Sequence, residues 1–207
     1  MSPRPRSATD EDLIAATQRV VTQLGPHLTL ADIGKEAGVS AATLVQRFGS
    51  KRALLLKFAS LGAEGTHRQF AAIRNAHPDP LDALREIVRC YSHMAPTPEA
   101  VSNGLAFLQV DLTDPEFHRF AHAQARAALR ALEKVLHDAV KAGQLAPCDT
   151  ERLAFALHSA IGGAMVAWAV LREGTAEDAI LAAVETVLEP RLKPHRTAPV
   201  RKQRARG

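Results

Sequence analysis

The chain has 207 residues, 46% of them hydrophobic, enough to bury one or two cores and too apolar for a disordered polypeptide. Its two cysteines, Cys90 and Cys148, lie far apart without a CxxC or CxxH neighbour, which argues against a disulfide framework or a zinc finger and for a reducing compartment. The net charge of +4 is unevenly spread: residues 1–58 carry eight Lys/Arg against five Asp/Glu, residues 59–190 eleven against seventeen, and residues 191–207 seven against none. That is the pattern of a polyanion-binding end on an acidic body.

Strand signals are nearly absent, so the expected fold class is all-α. Ser7 to Asp12 offers capping hydroxyls and first-turn carboxylates ahead of Leu13, Ile14, Thr17, Val20, Val21 and Leu24, and Gly25-Pro26 ends that helix. Thr29 caps a second helix to about Ala37, Gly38 supplies a tight turn, and Ser40 caps a third helix reaching Phe48. From Ser50 one longer helix is predicted to run to about Asn75, where His77-Pro78-Asp79-Pro80 stops it. Further helices are expected near 80–95, 98–110, 114–142, 149–172 and 176–189, giving eight or nine in all. The basic, Pro-containing stretch 191–207 reads as a disordered tail. No leader-like N-terminus and no membrane-spanning apolar run is expected, so the protein is read as cytoplasmic with no membrane partner.

Chemistry concentrates between Leu28 and Leu55. Leu30, Ile33 and Ala37 give one short helix an inner face, Val39 plugs the turn, and Leu44 with Phe48 gives the next helix its own. Gly38 between them permits the sharp crossing of a helix-turn-helix. The second of the pair would then present Ala41, Ala42, Thr43, Gln46 and Arg47 outward, with small residues allowing its backbone close to a groove floor.

This stretch resembles the TetR/AcrR family of regulators, whose helix-turn-helix ends in an aromatic residue, a short polar step and a Lys, here Phe48-Gly49-Ser50-Lys51. The resemblance covers about residues 10–58. It implies a flexible basic arm over 1–8, a three-helix DNA-binding domain over 9–52, and an effector-binding and dimerisation domain over 53–190. Thr29, Thr43 and Lys51 would then hold phosphates, and Gln46 and Arg47 would read an adenine and a guanine edge. Arg4 and Arg6 would reach the minor groove, or simply form a solvated terminus. Two positions depart from the family's habit: Val45 stands where a phosphate-touching Tyr is common, and Gly34 where Ala is common, a helix-interior glycine costing about 1 kcal/mol relative to Ala.

In the body, the helix near 154–171 is apolar almost all round. The resemblance implies that Ala160, Gly163, Ala164 and Ala167 let it pack against a second copy, dimerisation being needed for two recognition helices to reach successive major grooves about 34–36 Å apart. Met94, Asn103, Phe107, Phe117, Phe120, His122, Phe155, His158 and Trp168, with His93, Leu105 and Leu108 beside them, are candidates to line a mostly apolar effector pocket, or else are plain core. Cys90 is a candidate sensor thiol.

His118 and His122 stand at i, i+4 without a partnering carboxylate, so no metal or other cofactor is expected. No nucleophile elbow or phosphate loop points to an enzyme. The expected function is therefore a homodimeric repressor that binds operator double-stranded DNA and is released by a small, largely hydrophobic effector through a swing of the 50–75 helix. The absence of a separate polymerase-contacting module favours repression. A helical enzyme, or an architectural protein held non-specifically on DNA by its basic tail, is the alternative.

Overall fold

A computed structural model describes residues 8–193. They form ten α-helices and no strand: α1 (Asp10–Leu24), α2 (Leu30–Ala37), α3 (Ala41–Phe48), α4 (Lys51–Ser60), α5 (Gly62–Ala76), α6 (Pro80–Met94), α7 (Pro98–Thr113), α8 (Pro115–Lys141), α9 (Thr150–Leu171) and α10 (Ala176–Leu188). Most helices begin where a short polar side chain accepts from a backbone N–H left unpaired by helix geometry. Thr9 and Thr29 do this within capping boxes closed by Asp12 and Asp32, Ser40 and Ser50 without one. Proline opens α6, α7 and α8, where a missing N–H costs nothing.

Two cores result. The head core gathers Leu13, Val20, Leu28, Ile33, Leu44, Leu54 and Leu55 from α1 to α4, and takes in Phe117 from α8. The body core runs from Phe70 of α5 through Leu84, Ile87, Leu132, Leu136, Leu157 and Ile161 to Ile180 and Leu188 of α10. A smaller cluster joins Ala95, Val101, Trp168 and Ala176.

The single helix expected over 50–75 is two. The Ser60 hydroxyl donates to Lys57 O at 2.7 Å, the Leu61 N–H tightens onto Phe58 O at 3.1 Å, and a new helix starts at Gly62. The break lies where the chain changes cores, because α4 buries Leu54 and Leu55 in the head while α5 buries Phe70 in the body. This is why ten helices form instead of eight or nine.

An uncharged apolar run, expected to be absent, is present: Leu153 to Leu171 contains no Asp, Glu, Lys or Arg, and α9 is long and apolar enough to cross a bilayer. Leu153, Ala154, Leu157, Ile161 and Trp168 from this helix are buried in the fold. The start of the expected tail is also ordered, since Glu189–Arg191 forms a 3₁₀ turn and Leu192 pairs with Leu145. Arg4, Arg6 and residues 194–207 lie outside the described residues.

Candidate nucleic-acid interface

α2 and α3 meet through the Gly38 turn, where Gly38 sits in the left-handed region at φ 69°. Gly34 is fixed by packing: an added Cβ would lie 2.6 Å from Val39 O, and Gly34 O itself accepts the Val39 N–H at 2.8 Å. The helix-propensity cost expected at Gly34 is therefore the condition for this close crossing.

With Leu44 buried, α3 turns Ala42, Val45, Gln46 and Arg47 to the surface, while Ala41 and Thr43 are half-buried. Gln46 makes no side-chain hydrogen bond among the described residues and keeps its amide available. The other predicted contacts are more committed than the sequence suggested. Arg47 donates to Ala8 O and lies 3.2 Å from Asp10 Oδ1, so the chain's entry into α1 holds part of its guanidinium. Lys51 donates to Pro26 O at 3.0 Å, closing the turn after α1. The Thr29 hydroxyl donates to Asp32 Oδ2 at 2.7 Å, and this bond holds the Asp32 carboxyl below its usual range. Thr43 Oγ1 lies 2.9 Å from Ser40 Oγ. These four side chains build the head, and only donors beyond these bonds remain for DNA.

Sequence reasoning missed the joint that carries the head on the body. Arg52 of α4 donates to both carboxylate oxygens of Asp114, at 2.6 and 3.1 Å, and to Glu116 at 2.6 Å, and its guanidinium lies 5.3 Å from the Phe117 ring centre. The Arg52 hydrogen bonds pull the Asp114 carboxyl down to about 2. Asn103 of α7 donates to Thr22 O and Gln23 O at the end of α1. Asp114-Pro115-Glu116 looked only like a helix start, because the sequence says nothing of which distant cation faces it.

The nine side chains expected to form one effector pocket do not converge. Asn103 belongs to the joint and Phe117 to the head core. Met94 and Phe155 are 47% and 63% exposed, His122 is exposed, and Phe120 lies under the Arg119 guanidinium. Trp168 is buried in the smaller cluster and donates to Gly174 O at 3.3 Å. His158 is half-buried beside Tyr91, its Nδ1 unpartnered and its pKa lowered by burial. Among the described residues, Phe107 and Phe117 line one crevice of about 110 Å³ between α1, α4, α7 and α8, together with Val21, Phe58 and Asp111. Burial raises the Asp111 carboxyl.

Of the four small residues assigned to a dimer contact, Gly163 and Ala167 are exposed, whereas Ala160 is half-buried and Ala164 packs on the body core. The uncovered face of α9 includes Gly163 and Ala167 and runs on through Phe155, Ser159, Gly162, Val166 and Val170. His118 and His122 stack with ring centres 6.4 Å apart, and no group of three potential metal ligands forms among the described residues.

Two sequence profiles match this architecture. Residues 13–58 match the one described as bacterial regulatory proteins, tetR family, and residues 80–193 the one described as BetI-type transcriptional repressor, C-terminal. No curated protein matches the chain in sequence. Among solved structures, the fold is similar to a TetR-family regulator from Agrobacterium tumefaciens (19% identity, 89% of this chain and 97% of that one, TM-score 0.70). It is similar too to SmeT, the repressor of the Stenotrophomonas maltophilia multidrug efflux pump SmeDEF (20%, 94% and 95%, TM-score 0.64). A third likeness is to the regulator FadR from Bacillus subtilis, solved in complex with stearoyl-CoA (14%, 87% and 98%, TM-score 0.65). With the second profile spanning more than half of its length, the chain belongs to the TetR family of transcriptional regulators.

Proposed function

We propose that the protein is a cytoplasmic, homodimeric repressor that binds a palindromic operator through α3 and is released by a small, largely hydrophobic effector. The observation that carries this reading is the outward face of α3, where Gln46 stands with its amide unengaged between small or apolar neighbours, Ala42 and Val45, on a rigidly crossed helix-turn-helix. A Gln amide can pair bidentately with an adenine edge, and small neighbours let the helix seat deeply in a major groove.

Dimerisation is supported by α9. Phe155, Val166 and Val170 are 63%, 38% and 75% exposed, and Gly162, Gly163 and Ala167 between them would let a second helix approach closely. Such a patch on one chain is the kind that interfaces cover. Effector control is supported by the crevice walled by both head and body, which a ligand would pry apart or pin. The efflux-pump repressor and the acyl-CoA complex among the structural relatives are consistent with repression and with an apolar effector. No residue is assigned to catalysis or to a cofactor.

Selection of bound duplexes from random-sequence DNA tests this reading. Recovery of one palindrome with half-sites about one helical turn apart, or a multiple of it, is the expected outcome. Enrichment of no sequence, with binding that tracks salt alone, would favour an architectural role through the basic tail instead.

A further inference from the structure

The last turn of α1 contains no basic residue, and its carbonyls at Thr22 and Gln23 lie where a helix runs out of its own donors. Asn103, from the middle of α7, supplies them: one amide nitrogen donates to Thr22 O at 3.1 Å and to Gln23 O at 2.8 Å, one hydrogen for each. Contact continues immediately beyond. Gly25 has φ +59°, and a Cβ there would lie 3.0 Å from Asn103 Oδ1, 3.2 Å from its Cβ and 3.3 Å from its Cα. The turn after α1 is thus pressed onto the backbone of α7 at this one residue.

Only one other side chain hydrogen-bonds between head and body among the described residues, Arg52, and its partners Asp114 and Glu116 lie at the start of α8. Between these two polar points the contact is apolar, through Phe107 and Phe117 against the head core. Apolar contacts resist separation but have little directional preference, whereas the two-acceptor clasp at Asn103 fixes an angle. α7 also packs on α9, the helix with the uncovered face, through the groove that Asn103 shares with Leu105, Val166 and Val170. A helix with its side chains is about 10–12 Å thick, so Asn103 links the head to the proposed dimer helix within one helix diameter.

We propose that Asn103 is a positioning residue for operator recognition, setting the angle at which the body carries each head and thereby the spacing between the two recognition helices. The inference rests on the dimeric, sequence-specific reading above. The lever is sufficient: α1, with 15 residues, spans about 22 Å, and a tilt of about 10° over that length displaces its far end by about 4 Å. That is close to one base-pair step of about 3.4 Å.

The test uses the full-length protein and the palindrome selected by wild type. Binding is measured to that duplex, to versions with one base pair added or removed between the half-sites, and to a single half-site. Wild type is expected to prefer its own spacing by at least tenfold. Asn103→Asp keeps the side-chain shape but removes the donor, and should reduce that preference to threefold or less while half-site affinity stays within twofold. Gly25→Ala perturbs the same contact from the head side and should act alike. A purely structural role would weaken half-site and palindrome in proportion, and that result overturns the proposal, as does unchanged spacing preference in folded variants. If wild type itself selects no palindrome, both this inference and the dimeric, sequence-specific reading fail. Wild-type selectivity with indifferent variants removes this inference alone.

Discussion

Arg47 on the outer face of α3 lies 3.2 Å from the carboxylate of Asp10 in the first turn of α1, and donates as well to the carbonyl of Ala8. The recognition helix is therefore tied to the point where the N-terminal segment enters the head. The contact is exposed, so it contributes little to stability, but under the proposed operator reading it would compete with DNA for the same guanidinium.

Asp10→Ala should release that competition. Its expected effect is a two- to tenfold gain in non-specific duplex affinity at low salt, with a salt slope steeper by up to about 1 if the freed Arg47 takes a phosphate. Fluorescence anisotropy in a salt series reads both quantities. Unchanged affinity and slope would mean that Arg47 faces DNA just as well while bound to Asp10.

Gly34→Ala sets helix propensity against packing. Propensity alone would stabilise α2 by about 1 kcal/mol. The added Cβ would fall 2.6 Å from a backbone oxygen, however, and the crossing must open to admit it. Overpacking of that kind costs typically 1–3 kcal/mol, so net destabilisation or a near-zero balance is expected from chemical denaturation. A variant more stable by a full kcal/mol would show that the turn yields freely.

The Arg52–Asp114 contact should have an acid signature. Asp114 is held at about 2 in the folded protein, first by the Arg52 hydrogen bonds, and an unfolded Asp titrates near 3.9. A carboxyl lowered on folding stabilises the native state above its unfolded pKa and loses that contribution as pH falls through its folded one. Arg52→Met should therefore lower the melting temperature most above about pH 4, with the difference from wild type shrinking towards pH 2. A difference independent of pH would place the effect in the lost stacking of Arg52 on Phe117.

Val170, 75% exposed on α9, has almost no packing to lose within one chain. Val170→Glu should leave helical content and melting of the isolated subunit unchanged while converting a dimer to a monomer in light scattering at micromolar concentration. A persistent dimer would move the interface away from the α9 face.

Much of the fold was legible because it is written locally. Thr9, Thr29, Ser40 and Ser50 mark helix starts by their own chemistry, and the inward spacing of Leu30, Ile33, Leu44 and Phe48 defines the helix-turn-helix without reference to anything distant. The break at Leu61 was passed over, since it reflects α4 and α5 joining different cores and only Ser60 with Gly62 and Gly65, residues a helix also tolerates, announces it. Gln46 could be picked out from its face of a short helix, but the bonds of Arg47 to Ala8 and Lys51 to Pro26 depend on tertiary geometry. The same limit explains the effector pocket: Phe107 and Phe117 share a crevice while Met94, Phe155 and Trp168 lie elsewhere, and aromatic character alone does not say which way a side chain faces.

The central claim, that α3 reads base sequence, is tested most directly by comparing wild type with Gln46→Ala on the selected palindrome and on an unrelated duplex of equal length at one fixed salt concentration. The account predicts a loss equivalent to about 1–3 kcal/mol of base discrimination at each half-site, roughly 5- to 150-fold per half-site and roughly the product of the two on the full palindrome, with affinity for the unrelated duplex unchanged. Equal affinities of wild type and variant for the palindrome, or an equal loss on both duplexes, would contradict it.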